Sequence, residues 1–228
     1  YNPKTAKLYT DISHLSADTA LTAEVESVFG LLASQNRPPR LQQLWVAPFH
    51  LQRRLLDKIE QLTQAAQAGV PTRLVAKMNA LTDEELVRAL MAAGRAGVKI
   101  DLIVRGACIL PAQVPGHTDN IRVRSVIGRF LEHSRVFYFR SGAEESLYLS
   151  SADWMNRNML RRVELAWPIN DPVLRQRIID ECLVAYLHDT ANAWSLQGDG
   201  NYVDLAKNSE PPLLSVQKAL MARYQDKA

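Results

Sequence analysis

The sequence predicts an α/β fold built on a mixed, largely parallel sheet flanked by helices. Three observations carry that expectation. Segments of strand and helix periodicity alternate from residue 44 to residue 105, glycines and prolines punctuate them, and 47 % apolar residues in a chain of 228 suffice for a real core.

Composition bounds the rest. Net charge is only +3, too weak a field to name a partner, so any electrostatic meaning lies in where the cations sit. Cys108 and Cys182 stand far apart without a CxxC partner, as expected of buried thiols in a reducing, cytoplasmic protein rather than a disulfide scaffold or zinc knuckle. No apolar run has membrane-spanning length, and Tyr1-Asn2-Pro3 opens the chain without Met or a basic leader, so it reads as a piece of something longer.

The elements follow in order. Residues 1–36 hold a short apolar alternation, Lys7 to Ile12, then a helical pattern from Ala20 to Leu32 with capping residues Ser16, Asp18 and Thr19 ahead of it. Asn36-Arg37-Pro38-Pro39 is the expected boundary, because paired prolines cannot continue a helix. A second unit is expected over residues 40–195. It opens with a strand at Leu44–Ala47, a helix from Gln52 to about Ala68, and a strand at Arg73–Lys77. A helix from Asp83 to about Ala96 ends at Gly97, and Val98–Arg105 is the next strand. Further strands are expected at 121–126, 135–139, 147–149 and 163–167, then a helix from Pro172 to about His188. The polar tail, 196–228, is expected to be loosely held.

The chain also matches itself. With Tyr1 set on Trp154, Lys4 falls on Arg157, Tyr9 on Arg162, Asp11 on Glu164 and Asp18 on Asp171. Each stretch runs from an aromatic through basic residues to a strand with a central carboxylate, then to an Asp that opens a helix. Such an echo suggests the end of one copy followed by the whole of a second.

The chemistry centres on the strand after Glu132. His133 and Arg135, two apart, share a face. An imidazole beside a cation suits a group that exchanges a proton with a phosphoryl oxygen, although a surface histidine next to an incidental arginine has the same pattern. The next strand tips the balance, because it delivers Ser150, Ser151 and Asp153: two hydroxyls for phosphate and a carboxylate to orient the imidazole. Lys77 and Arg105 stand at the carboxyl ends of neighbouring strands, where anions bind open sheets, and Gly106 lets the backbone turn behind Arg105. Arg105 is the better clamp because its fork is bidentate. Arg122, Arg124 and Arg129 precede His133, and Arg157, Arg161 and Arg162 follow the serines, a positive path for a long polyanion with some members on the wrong face. His14, His50, His117 and His188 lack metal-ligand spacing, and with no Walker A loop or GxGxxG a P-loop nucleotide kinase is disfavoured.

These blocks carry a resemblance. Lys77-Met78-Asn79-Ala80-Leu81, Ile103-Val104-Arg105-Gly106, Asn120-Ile121-Arg122-Val123, Arg129-Phe130-Leu131-Glu132-His133-Ser134-Arg135 and Ser150-Ser151-Ala152-Asp153-Trp154-Met155 together resemble the C-terminal half of the first polyphosphate kinase family. Tyr1 to Asp11 is similar to the segment before it, and the likeness extends to about Trp167. The resemblance implies two phospholipase D-like domains, each bringing one histidine to a shared site, with 1–36 the remnant of the first. Arg135 stands where phospholipase D enzymes have Lys, and Asp153 where they have Asn, which tells against lipid phosphodiesterase activity.

The resemblance further implies reversible transfer of the terminal phosphate of ATP to inorganic polyphosphate through a phosphohistidine upstream of Tyr1, with Mg2+ as cofactor on residues that also lie upstream. It places Tyr9, Arg105 and His133 at nucleotide-binding positions and Arg162 at a phosphate contact, with His133 as the second acid/base histidine. ATP/ADP and polyphosphate are the expected partners, within a homo-oligomer of the full-length protein that binds no specific nucleic acid and is compatible with peripheral membrane association. The piece alone is expected to be inactive. The alternatives are a phospholipase D-type phosphodiesterase or nuclease, or a polyanion-binding module.

Overall fold

The computed structural model describes residues 2–34 and 41–225. Its frame is a nine-stranded mixed sheet. The strands are β2 (Trp45–Ala47), β3 (Thr72–Met78), β4 (Lys99–Val104), β5 (Ile121–Val126), β7 (Arg135–Ser141), β8 (Glu144–Ser150), β9 (Glu164–Pro168), β10 (Ala193–Leu196) and β11 (Tyr202–Asp204). Their order is β11-β10-β5-β4-β3-β7-β8-β9-β2. Two further strands, β1 (Tyr9–Thr10) and β6 (Leu131–Glu132), pair with each other in parallel outside that sheet.

The parallel character expected of the sheet is confined to β3, β4 and β5. Helices α2 (Leu51–Gln67) and α3 (Glu84–Arg95) precede β3 and β4, and α3 makes the crossover that parallel neighbours require. A tight turn with Gly142 at φ +58 joins β7 to β8, and a connection holding the short helix α4 (Asn156–Leu160) joins β8 to β9, so β7, β8 and β9 form an antiparallel meander. That meander separates β2 from β3, and β2 ends at the far edge, antiparallel to β9.

Both faces of the central strands are covered, which is why they read as near-continuous apolar runs. On one face Leu51, Leu55, Ile59 and Leu62 of α2, spaced at about one turn, join Leu86 and Leu90 of α3 over Leu74, Ala76, Leu102 and Phe137. Each fully buried leucine here contributes about 2 kcal/mol. The opposite face packs Val75, Ile103, Val136 and Leu149 against Leu183 and Tyr186. These two come from the helix predicted from Pro172. It runs as α5 (Pro172–Ile178), a π-helical stretch (Ile179–Val184) and α6 (Ala185–Leu187).

The expected caps are in place. Asp83 Oδ1 accepts from Leu86 N at 3.0 Å, and Gly97 takes φ +105 just past α3. Helix α1 (Thr19–Ser34) opens at Asp18, whose Oδ1 accepts from Ala20 N and Leu21 N. Asp171 does the same for Val173 N and Leu174 N, so the two halves of the self-match share a capping geometry. The Asn36-Arg37-Pro38-Pro39 boundary and Tyr1 lie outside the described residues.

The tail differs from expectation. Within 196–225, β11 pairs with β10 as a hairpin on the sheet edge and α7 (Val216–Gln225) packs back onto the protein with Val216 and Gln217 buried. A polar composition did not prevent docking, because Val216 N finds Asp189 Oδ2 at 2.8 Å and Gln217 meets a polar cluster. Among the described residues no helix is long and apolar enough to cross a membrane.

Candidate functional site

The two-residue β1–β6 ladder aligns Tyr9 with Leu131 and Thr10 with Glu132. His133 N continues it by donating to Thr10 O at 3.1 Å. This register sets Asp11 against the imidazole, with Oδ2 3.2 Å from His133 Nδ1. An ionised carboxylate only accepts, so as a hydrogen bond this contact is made by a proton on Nδ1. The Tyr9 ring stands edge-on to the same imidazole at 5.1 Å between centroids.

Arg135 completes the group. Its Nη1 donates to His133 O at 2.9 Å and lies 3.4 Å from Nδ1 and 3.2 Å from Nε2. Near-equal spacing to both nitrogens requires an approach over the ring face, since an in-plane approach would collide with Cε1. Asp153 holds the other side of the guanidinium in a fork, Nε to Oδ1 at 3.2 Å and Nη2 to Oδ2 at 3.0 Å. Asn79 fixes Asp153 in turn, by its backbone N at 2.7 Å and Nδ2 at 3.1 Å.

Asp153 therefore clamps Arg135, and the carboxylate at the imidazole is Asp11 instead. β7–β8 pairing sets Arg135 opposite Ser150, so Asp153, three residues further, meets the guanidinium first. The two serines are also occupied. Ser150 Oγ donates to Leu165 O, while Ser151 Oγ donates to Glu164 and accepts from Leu165 N, so neither hydroxyl is offered to a phosphate.

Lys77 is not at a strand end either. It lies inside β3 on the Val75 face, 2 % exposed, with Nζ 2.7 Å from Glu132 Oε2, 2.7 Å from Ser134 Oγ and 3.9 Å over the Tyr186 ring. Burial pushes the Glu132 carboxyl up, but the Lys77 charge and hydrogen bonds from Lys77, Gln217 and Thr10 outweigh it and hold it below the usual value. Burial, then the Glu132 charge, drive the Tyr186 phenol well above its ordinary range, so it stays neutral. Cys182 is likewise inert, its thiol pushed up to about 11 chiefly by burial.

Two cavities lie next to the histidine segment, and His133 itself lines neither. The smaller, about 530 Å³, is lined by Tyr9, Arg105, Gly128, Arg129, Phe130 and Leu131. It unites two of the predicted nucleotide residues. Among the described residues no ion pair holds the Arg105 guanidinium, which leaves it available to an anion. The larger, about 720 Å³, shares Tyr9 and adds Asp11, Ser134, Cys182 and Gln217. Arg162 lines neither; it is exposed, its Nη1 3.8 Å from Glu164 Oε1. Arg124 caps the α6 carbonyls, reaching Leu187 O at 2.5 Å. His14 accepts from Trp167 Nε1 and His50 from Val46 N, structural roles that agree with setting them aside. The expectations had assigned no role to Asp11, Glu132 or Gln217. Asp11, two residues from Tyr9, gave a faint signal; Gln217 gave none.

Comparison with known proteins is consistent along the chain. Residues 44–216 match the family model described as polyphosphate kinase C-terminal domain 2. A polyphosphate kinase of Pseudomonas putida is 47 % identical over 226 residues, 99 % of this chain and 31 % of the relative. One of Burkholderia cenocepacia is 45 % identical over 224 residues, 98 % and 32 %. The crystal structure of polyphosphate kinase from Porphyromonas gingivalis superposes at TM-score 0.85 with 34 % identity, over 93 % of this chain and 32 % of that one. The chain thus spans about a third of the length of these relatives.

Proposed function

The chain belongs to the polyphosphate kinase family, and from that premise we propose that its site forms the nucleotide and phosphate side of a reversible phosphotransfer between ATP and inorganic polyphosphate. The supporting observation is the convergence of Tyr9, Asp11 and Arg135 on His133 beside the cavity that holds Arg105.

In this proposal Tyr9 packs against the nucleotide, and Arg105 takes phosphate oxygens. Arg162, exposed and only loosely paired, meets phosphate arriving from outside the two cavities. Asp11 keeps the proton on Nδ1, so His133 Nε2 can accept a proton from a phosphoryl oxygen or, once protonated, return it. Arg135 over the ring face stabilises the anion facing the imidazole, while Asp153 balances the guanidinium charge. The phosphorylated histidine belongs to the remainder of the family-length protein, and these residues alone do not turn over. Among the described residues no group of three or more His, Cys, Asp or Glu side chains gathers, and no step here runs through Mg2+.

The test is ATP-dependent polyphosphate synthesis by the full-length protein and by this chain, side by side, with the His133→Ala variant. We expect the chain alone to be inert and the variant to lose about a hundredfold or more in rate. Near-normal synthesis by His133→Ala would overturn the assignment.

A further inference from the structure

We propose that the buried Lys77–Glu132 pair and Gln217 of α7 form a bracket that positions His133, making the C-terminal helix a working part of the site. The inference rests on His133 being the acid/base group. Its starting point is that one ammonium holds both chain neighbours of His133: Lys77 Nζ bonds Glu132 Oε2 and Ser134 Oγ, each at 2.7 Å. The alternation of an extended chain then turns Glu132 and Ser134 inward and His133 outward. Both neighbours are buried, at 3 % and 6 % exposure.

The Glu132 carboxylate ties in two more segments. Its Oε2 accepts from Thr10 Oγ1 at 2.8 Å, fixing the residue between Tyr9 and Asp11. Its Oε1 accepts from Gln217 Nε2 at 2.6 Å, and the same amide grips the Phe130 backbone, with N to Oε1 and Nε2 to O both 2.9 Å. Strand β1, the histidine segment and α7 therefore meet at one carboxylate. A buried ion pair is weak evidence for stability, because apolar replacements of similar volume are often as stable. Alignment of the one outward residue between two tethered ones is the role that accounts for it.

Gly128 supplies an independent observation. A Cβ there would stand 2.5 Å from Gln217 Oε1 and 2.8 Å from its Cδ, and would meet no backbone atom within those limits. Alanine at 128 would therefore act by displacing the Gln217 amide from Phe130 and Glu132, without removing any hydrogen-bonding group.

The experiment is a double-mutant cycle in the full-length protein, with Gly128→Ala, Gln217→Ala and the pair, read as kcat and KM for ATP in polyphosphate synthesis. Misplacement of a catalytic group costs up to about a hundredfold in rate; we expect each single variant to lose about tenfold in kcat with KM for ATP changed less than about twofold. The pair should be no slower than Gln217→Ala alone. Wild-type kcat in Gln217→Ala, losses that fall on KM, or a Gly128→Ala effect undiminished in the Gln217→Ala background would each overturn the bracket. If Gln217→Ala does not fold, Gly128→Ala and Ser134→Ala decide: loss of kcat in both supports the bracket, and wild-type kcat in either overturns it. His133→Ala is assayed alongside. Activity in that variant would overturn the histidine assignment itself, whereas an inactive His133→Ala with fully active bracket variants would overturn only this inference.

Discussion

Asp11→Asn keeps the shape of the group beside His133 and removes its charge. At the 3.2 Å separation of Oδ2 and Nδ1, an imidazolium–carboxylate pair interacts by about 5 kcal/mol at an effective dielectric of about 20 and about 1.3 kcal/mol in bulk water. His133 is 29 % exposed and Asp11 36 %, so solvent screens the pair and about 2 kcal/mol is a fair value between those limits. Loss of that stabilisation from a step in which His133 becomes charged lowers the rate by roughly thirtyfold. The amide adds a second loss, since its NH2 can donate to Nδ1 and favour the tautomer whose proton sits on Nε2. Together the two effects give an expected fall in kcat of about thirty- to a thousandfold. Initial rates of ATP-dependent polyphosphate synthesis by the full-length variant, with Asp11→Glu as the partly restoring control, measure it. A wild-type kcat in Asp11→Asn would show that Asp11 does not set the state of His133.

Two further predictions follow from the neighbouring groups. Arg135→Lys replaces a fork that grips Asp153 and covers the imidazole with a single ammonium that cannot do both; kcat should fall about tenfold or more, and unchanged kinetics would refute a role for the fork. Glu132 is held below its ordinary value of 4.5, so its pairing stabilises the fold in full above that value and is lost as pH falls through the lowered native one. Urea midpoints of the wild type should therefore drop more steeply between about pH 5 and pH 3 than those of Glu132→Gln, which starts lower because Lys77 is left unpaired. Parallel pH dependences would contradict the pairing.

What was legible in the sequence was what a short window determines. β5 was expected at 121–126 and lies at Ile121–Val126; α3 begins after Asp83 and ends before Gly97, because caps and periodicity are local. The mixed α/β sheet followed from those elements, but the extent of its parallel part did not. Strand order depends on which edges meet, and nothing within Leu44–Ala47 says that it will pair with β9 across more than a hundred residues. Lys77 shows the same limit at one side chain. A cation closing an apolar strand reads as solvent-facing, yet β3 continues to Met78 and a helix covers the Lys77 face, so the charge is buried against Glu132.

The site was misread where reach mattered more than spacing. His133 and Arg135 were expected on one face, and they are, but the carboxylate expected for the imidazole goes to the longer guanidinium. The imidazole is served instead by Asp11, just past the β1 strand and 122 residues away in the chain. His14 and His50 also carry ring hydrogen bonds, so a polar partner alone does not distinguish a functional histidine. What distinguishes His133 is that its ring meets a carboxylate, a guanidinium and an aromatic edge at once, while both flanking side chains are tied down in the interior. An imidazole needed only for packing requires one satisfied nitrogen. One that meets a carboxylate, a guanidinium and an aromatic ring on a tethered backbone is held more closely than packing requires, and that excess is what the proposed role at Nε2 accounts for.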